Sequence, residues 1–174
     1  QDFWAAEIGW TAPVVTKAPA AAPLGHRTPW LLVTGITGFI GPHLLAALAA
    51  TGKWANICCI VRAPLDRRAV TDALSLAQGG GAKTFQEFKN FKLIAGDLSK
   101  PGLGISATDL EFLLQSHIDT VVHNAAHVNH VLSYEQLRAA NVTVVDELIA
   151  ILARSSSPPP AFLMVSTISA VPRF

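Results

Sequence analysis

Cysteine is nearly missing: the 174 residues hold two, Cys58 and Cys59, adjacent in an apolar stretch. Successive strand side chains point to opposite faces, so a disulfide between them is not expected. They read as reduced core residues of a cytosolic protein. A charge imbalance is missing too. Thirteen basic and twelve acidic side chains leave a formal charge of +1, which excludes the basic field that steers a chain to nucleic acid or to an anionic membrane. Although 51% of the residues are hydrophobic, no apolar run approaches the roughly 18–20 residues a spanning helix needs. The amino-terminal segment lacks the basic-then-apolar layout of a signal peptide. A soluble chain with one core is expected, since domains typically hold roughly 100–200 residues. Gln1 at one end, and an apolar strand running into Phe174 at the other, read as a piece of a longer polypeptide.

Residues Thr11 to Thr28 are dominated by Ala, Pro and Val, and Pro13, Pro19, Pro23 and Pro29 block a continuous helix. Residues 1–29 read as a linker or peripheral segment, and residues 30–174 as the folded domain. Phe3, Trp4, Ile8 and Trp10 are too apolar for a free tail, and pack either on this domain or on an upstream neighbour. From Trp30 onward, short apolar runs alternate with longer amphipathic ones, the pattern of a Rossmann-type α/β fold with a doubly wound parallel sheet. Strands are expected at Trp30–Thr34, Asn56–Val61, Phe91–Ala95, Thr120–His123 and Ala161–Val165. A first helix should begin near Gly41 and Pro42, bury Ile40, Leu44, Leu45 and Leu48, and end near Gly52. A later helix should open on the capping-box pair Ser133 and Gln136 and carry Leu137, Ala140, Val144, Leu148 and Ile151 along one stripe. Gly79 to Gly81 reads as a surface loop.

Between the first strand and the first helix stands Thr34-Gly35-Ile36-Thr37-Gly38-Phe39-Ile40-Gly41, three glycines at three-residue spacing. Gly35 permits the tight turn, Gly38 lets the backbone approach a pyrophosphate, Gly41 allows the helix to pack closely, and the helix amino terminus offers N–H donors to the anion. The second strand ends in Arg62, whose guanidinium suits the 2′-phosphate of NADPH. Asp66 is the rival ligand, for the ribose 2′-hydroxyl of NADH, and Arg67 and Arg68 add positive potential. Ala95-Gly96-Asp97-Leu98 and His123-Asn124-Ala125-Ala126 fall at strand carboxyl ends, where open α/β sheets bind ligands. Asp97 either accepts from an adenine amino group or caps its own turn. His123, His127 and His130 lie within eight residues, but strand-to-loop geometry does not converge them on one ion, and no metal is expected. Ser166 and Thr167, at the end of the fifth strand, offer hydroxyls to a substrate carbonyl.

The stretches TGITGFIG, CCIVRA, IAGDLSKPGLGIS, VVHNAAHVNHVLSYEQLRAANV and FLMVSTIS together resemble the extended short-chain dehydrogenase/reductase family. Within it they are most similar to the thioester reductase domains that end nonribosomal-peptide and polyketide assembly lines, and to the related carboxylic-acid and aminoadipate reductases. The resemblance implies hydride transfer from NADPH to an acyl thioester held on the phosphopantetheine arm of a carrier domain, through a hemithioacetal to an aldehyde, with further reduction to an alcohol in some relatives. It places the pyrophosphate at Gly35, Thr37, Gly38, Phe39, Ile40 and Gly41, the 2′-phosphate at Arg62, and the adenine at Asp97 and Leu98. It lines the cofactor with Asn124, Ala125 and Ala126, puts Asn141 on the helix behind the site, and makes Thr167 the catalytic Ser/Thr with Ser166 beside it. The family also uses a Tyr-x-x-x-Lys pair on the next helix. The one tyrosine here, Tyr134, precedes the fifth strand and is followed four residues on by Arg138, so these residues alone are expected to bind NADPH without turnover. A non-catalytic dinucleotide-binding module and an extended reductase of a free small molecule are the alternatives.

Overall fold

Strands rich in Val, Ile and Leu bury both faces only when helices cover each side, and the chain folds this way. The computed structural model describes residues 28–77, 89–155 and 159–167. Within them β1 (Trp30–Thr34), β2 (Asn56–Arg62), β3 (Asn90–Gly96), β4 (Ile118–His123) and β5 (Ala161–Met164) form one parallel sheet in the order β3-β2-β1-β4-β5. The helices are α1 (Gly41–Ala50), α2 (Arg67–Ala77), α3 (Ala107–Gln115), α4 (Tyr134–Arg138) and α5 (Val144–Ser155). The chain leaves β1 toward β2 and β3, then returns across to β4. That reversal opens a crevice at the carboxyl ends of β1 and β4, the topological switch point of a doubly wound sheet.

Side-chain alternation divides the core into two layers. Leu31, Val33, Ile57, Cys59 and Val122 pack with Leu45, Ala49, Trp54 and Val70 on the α1 and α2 side. Leu32, Cys58, Ile60, Ile94 and Val121 pack with Leu113, Val144, Leu148 and Leu152 on the α3 and α5 side. Cys58 and Cys59 are therefore buried, unbridged and on opposite faces, and burial pushes the Cys58 thiol up to about 12. Across the second layer Lys92 of β3 pairs with Asp109 of α3 at 2.9 Å and lies 4.6 Å from the centre of the Phe112 ring. That ring meets Trp30 edge-on at a centroid distance of 5.1 Å.

The strands match expectation to within two residues at either end. One correction concerns α1. Ile40 is its cap residue rather than part of its buried face, and is half exposed; Leu45 is buried as expected, Leu44 and Leu48 are partly buried on the same side, and Pro42 and Ala49 are buried with them. The helix itself starts at Gly41 with Pro42 in its first turn, as expected. The Ser133 capping box forms, with the Ser133 amide donating to Gln136 Oε1 at 2.9 Å. The long helix it opens is not uniform: a π-helical turn, Ala139–Thr143, joins α4 to α5. Between β3 and α3 a short 3₁₀ turn, Pro101–Gly104, carries three consecutive residues at positive φ: Gly102 (63°), Leu103 (60°) and Gly104 (55°). A leucine in that region costs roughly 1–2 kcal/mol, offset here by complete burial of its side chain. Residues 1–27 of the linker segment, with its aromatic residues, and the Gly79–Gly81 loop lie outside the described residues.

Leu148 is fully buried while its neighbour Ile149 is 49% exposed. Leu148→Ala should lower the unfolding free energy by about 2–5 kcal/mol, and Ile149→Ala should change it by less than about 1 kcal/mol. Urea unfolding of the two variants checks the layer assignment.

Candidate functional site

Close backbone contact builds the crevice. Gly35 adopts a φ of 73°, and a Cβ there would fall 2.5 Å from the amide nitrogen of Ala125. Only glycine lets the turn after β1 lie directly on the loop after β4. Asn124 fastens the two together, its Nδ2 donating to the Gly35 carbonyl at 2.9 Å. A Cβ on Gly41 would fall 2.2 Å from the same carbonyl, so α1 starts flush against the turn. Gly38 is different. A Cβ there would meet only the Gly35 oxygen, at 3.5 Å, and the backbone at Gly38 faces open space.

That space is a cavity of about 650 Å³, lined by Gly35, Thr37 and Gly38 from the turn, Arg62 from β2, Asp97 and Leu98 after β3, and Asn124, Ala125 and Ala126 after β4. Nine of the residues singled out from sequence thus meet around one hollow. Its size lies within the roughly 300–1,000 Å³ of small-molecule sites, and its main-chain floor with the start of α1 alongside suits an extended dinucleotide. Phe39 is 94% exposed and Ile40 about half exposed, both outside the lining; Gly41 is buried behind it. Asn141 sits in the π-helical turn, accepting from the His127 amide at 2.7 Å and donating to the His127 carbonyl at 3.0 Å. It clamps the loop beyond Ala126 from behind. Ser166 and Thr167 follow β5 on the same end of the sheet as His123, whose carbonyl accepts from the Val165 amide at 2.9 Å; both are exposed and outside the cavity lining.

The end of the cavity at β2 and β3 has a definite charge arrangement. Arg62 makes no ion pair among the described residues. Asp66 caps α2 instead, accepting from the Arg68 amide at 2.9 Å, and does not line the cavity. Asp97 accepts at one carboxylate oxygen from the Ser99 hydroxyl (2.6 Å) and amide (3.0 Å), while Lys100 lies 3.4 Å from the other. These bonds, the Ser99 hydroxyl first, hold its carboxyl below the usual range. Asp97 caps its own turn and also faces the cavity, and an ionised carboxylate has lone pairs left for a further donor. Ile60, Val61, Gly96, Ser99, His127 and Ala140 complete the lining; of these, Gly96 was detectable as a glycine closing an apolar strand. Among the described residues no three His, Cys, Asp or Glu side chains gather as a metal set, and no helix is long and apolar enough to cross a membrane.

Beneath the floor lies a buried imidazole. Thr34 Oγ1 accepts from the Ala125 amide at 3.2 Å and pairs with His123 Nδ1 at 2.8 Å. We assign the hydroxyl hydrogen to this pair, which makes His123 Nδ1 an acceptor. Nε2 has no partner among the described residues, and the ring is tilted 41° against Phe162. Burial lowers the His123 pKa and keeps the ring neutral.

The family model described as Male sterility protein matches residues 33–173. Nonribosomal peptide synthetase 5 of Gibberella zeae is 33% identical over 128 residues, 74% of this chain and 1% of that protein. Hybrid PKS-NRPS synthetase gkaA of Penicillium citrinum is 32% identical over 150 residues, 85% of this chain and 3% of that protein. The solved structure of the terminal R domain from the myxalamid PKS-NRPS biosynthetic pathway aligns with a TM-score of 0.71 at 30% identity, over 86% of this chain and 37% of that one. The chain thus spans a small fraction of these synthetases and well under half of the solved domain.

A histidine kept neutral by burial stabilises the fold fully above its unfolded pKa of about 6.5. As pH falls below that value the unfolded chain takes up the proton first, so stability declines until the lowered folded pKa is reached. His123→Asn should remove this decline. Unfolding free energies measured across the weakly acidic range would show the slope in the parent and a flatter profile in the variant.

Proposed function

Because the chain belongs to the family described as male sterility protein, in the thioester reductase branch of the extended short-chain dehydrogenase/reductases, we propose that it forms the cofactor-binding part of an NADPH-dependent reductase. Its substrate is an acyl or peptidyl thioester on the phosphopantetheine arm of a carrier domain, and its product an aldehyde or an alcohol. The observation that carries the NADPH preference is the charge arrangement at β2: Arg62 lines the cavity without an ion-pair partner among the described residues, whereas Asp66 is engaged at the start of α2. A guanidinium gives paired, charge-assisted bonds to a phosphate monoester, and an NADH site would need a carboxylate in that place.

The remaining roles belong to the same proposal. Gly35 and Gly38 bring main chain to the pyrophosphate, and the start of α1 adds N–H donors. Asp97 and Leu98 wall the adenine, and Asn124 to Ala126 line the path toward β5. Thr167, with Ser166 beside it, donates to the thioester carbonyl oxygen as that oxygen gains charge. When bound, NADPH supplies the hydride for the thioester carbon. The carrier domain is a partner in the same polypeptide, as expected of a part of a multidomain synthetase.

Arg62→Ala in the full-length protein should weaken NADPH binding by about 10–100-fold and leave NADH binding nearly unchanged; titration with both nucleotides checks this, and equal losses would point away from a 2′-phosphate contact. Thr167→Ala should lower kcat for a carrier-bound acyl thioester by about 10²-fold with little change in NADPH affinity. The readout is the decay of reduced-nicotinamide absorbance, and an unaltered kcat would remove Thr167 from the mechanism.

A further inference from the structure

The loop that presents Asp97 and Leu98 to the cavity owes its shape to a left-handed turn that sets a leucine between two glycines. Leu103 is the one residue at positive φ among the described residues that is not glycine, at φ 60° and ψ 13°. Its carbonyl accepts from the Asp97 amide at 2.8 Å. A Cβ on Gly96 would fall 2.8 Å from that carbonyl, and one on Gly104 would fall 2.9 Å from the Asp97 nitrogen. The turn and the cavity-facing segment therefore lie back to back, and any relaxation of Leu103 moves Asp97.

Two contacts hold Leu103 in place. Its side chain is fully buried against the α3 and α5 layer. Its amide donates to Glu147 Oε2 at 3.1 Å. Glu147 does not serve a helix end, because α4, the π-helical turn and α5 run on without a break from Tyr134 to Ser155. It also walls a smaller hollow of about 180 Å³ shared with Leu98, Ser99 and Thr143, behind the nucleotide end of the main cavity. A carboxylate oxygen is a strong acceptor for an amide that no strand or helix partner satisfies.

We propose that Glu147 is a positioning residue for the adenosine end of the site: by accepting from the Leu103 amide it holds the left-handed turn, and through it the Asp97–Leu98 wall, in the geometry that receives the nucleoside. This rests on the dinucleotide reading of the cavity. It makes the effect of Glu147 local. The turn after β1 and the loop after β4 are fixed by Gly35, Asn124 and Asn141, none of which touches this contact.

The test uses the full-length protein and the two halves of the cofactor, adenosine 2′,5′-bisphosphate and nicotinamide mononucleotide, titrated separately. Glu147→Ala should weaken the adenosine half by about tenfold and leave the nicotinamide half unchanged. Glu147→Gln keeps a side-chain acceptor and should stay within about threefold of the parent, whereas Glu147→Asp, too short to reach, should behave like Ala; this pair decides the matter if the alanine variant does not fold. Equal weakening of both halves means a general structural role and overturns the proposal, as does an adenosine affinity unmoved in the Ala and Asp variants. A parent protein that binds neither half overturns the dinucleotide reading together with the proposal, an outcome distinct from normal parent binding with insensitive variants.

Discussion

The contact between the backbone of Gly35 and that of Ala125 governs the site. Side chains normally keep two loops at the end of a sheet several ångströms apart. Here a Cβ would sit 2.5 Å from the Ala125 nitrogen, so the loops after β1 and β4 meet main chain against main chain. The consequences spread outward. α1 begins flush against the Gly35 carbonyl, Asn124 can reach that same carbonyl, and Thr34 can bind both the Ala125 amide and His123. What remains on the open side is a hollow floored by polar main chain, the surface an anionic, elongated ligand needs.

Around this contact the site divides into a rigid half and a held half. The β1 and β4 side is fixed by side chains within the loops themselves, with Asn141 clamping His127 from the π-helical turn, a helix irregularity often found at functional sites. The β3 side has its own internal bonds, from Asp97 to Ser99 and Lys100, but leans on more than these. Its shape comes from a left-handed turn that needs the buried Leu103 side chain and a carboxylate from a distant helix. The two halves meet at the sheet, where Arg62 and Gly96 are paired neighbours at the ends of β2 and β3.

Much of this was legible in the residues. The strands, the glycine turn, the capping box at Ser133 and the gathering of Arg62, Asp97 and Asn124 at strand ends all follow from short-range patterns, because alternation, glycine spacing and cap chemistry are local properties. What escaped was decided by contacts across long sequence separations. Leu103 at positive φ cannot be read from a leucine in Pro-Gly-Leu-Gly, since the strain is balanced by the core and by Glu147, 44 residues on. The role of Thr34 depends on residues 89 and 91 positions away. Ile40 was misplaced for a simpler reason, in that apolar spacing does not reveal which apolar residue is the cap. Ser166 and Thr167 were placed at the right end of the sheet by strand order alone.

The most direct test is hydrogen–deuterium exchange of the full-length protein with and without NADPH. If the crevice is the cofactor site, protection should rise together in three separate segments: residues 35–41, 96–99 and 124–127. The buried strand interiors should change little. Protection confined to other segments, or no change at saturating NADPH, would contradict the assignment of this crevice as the dinucleotide site.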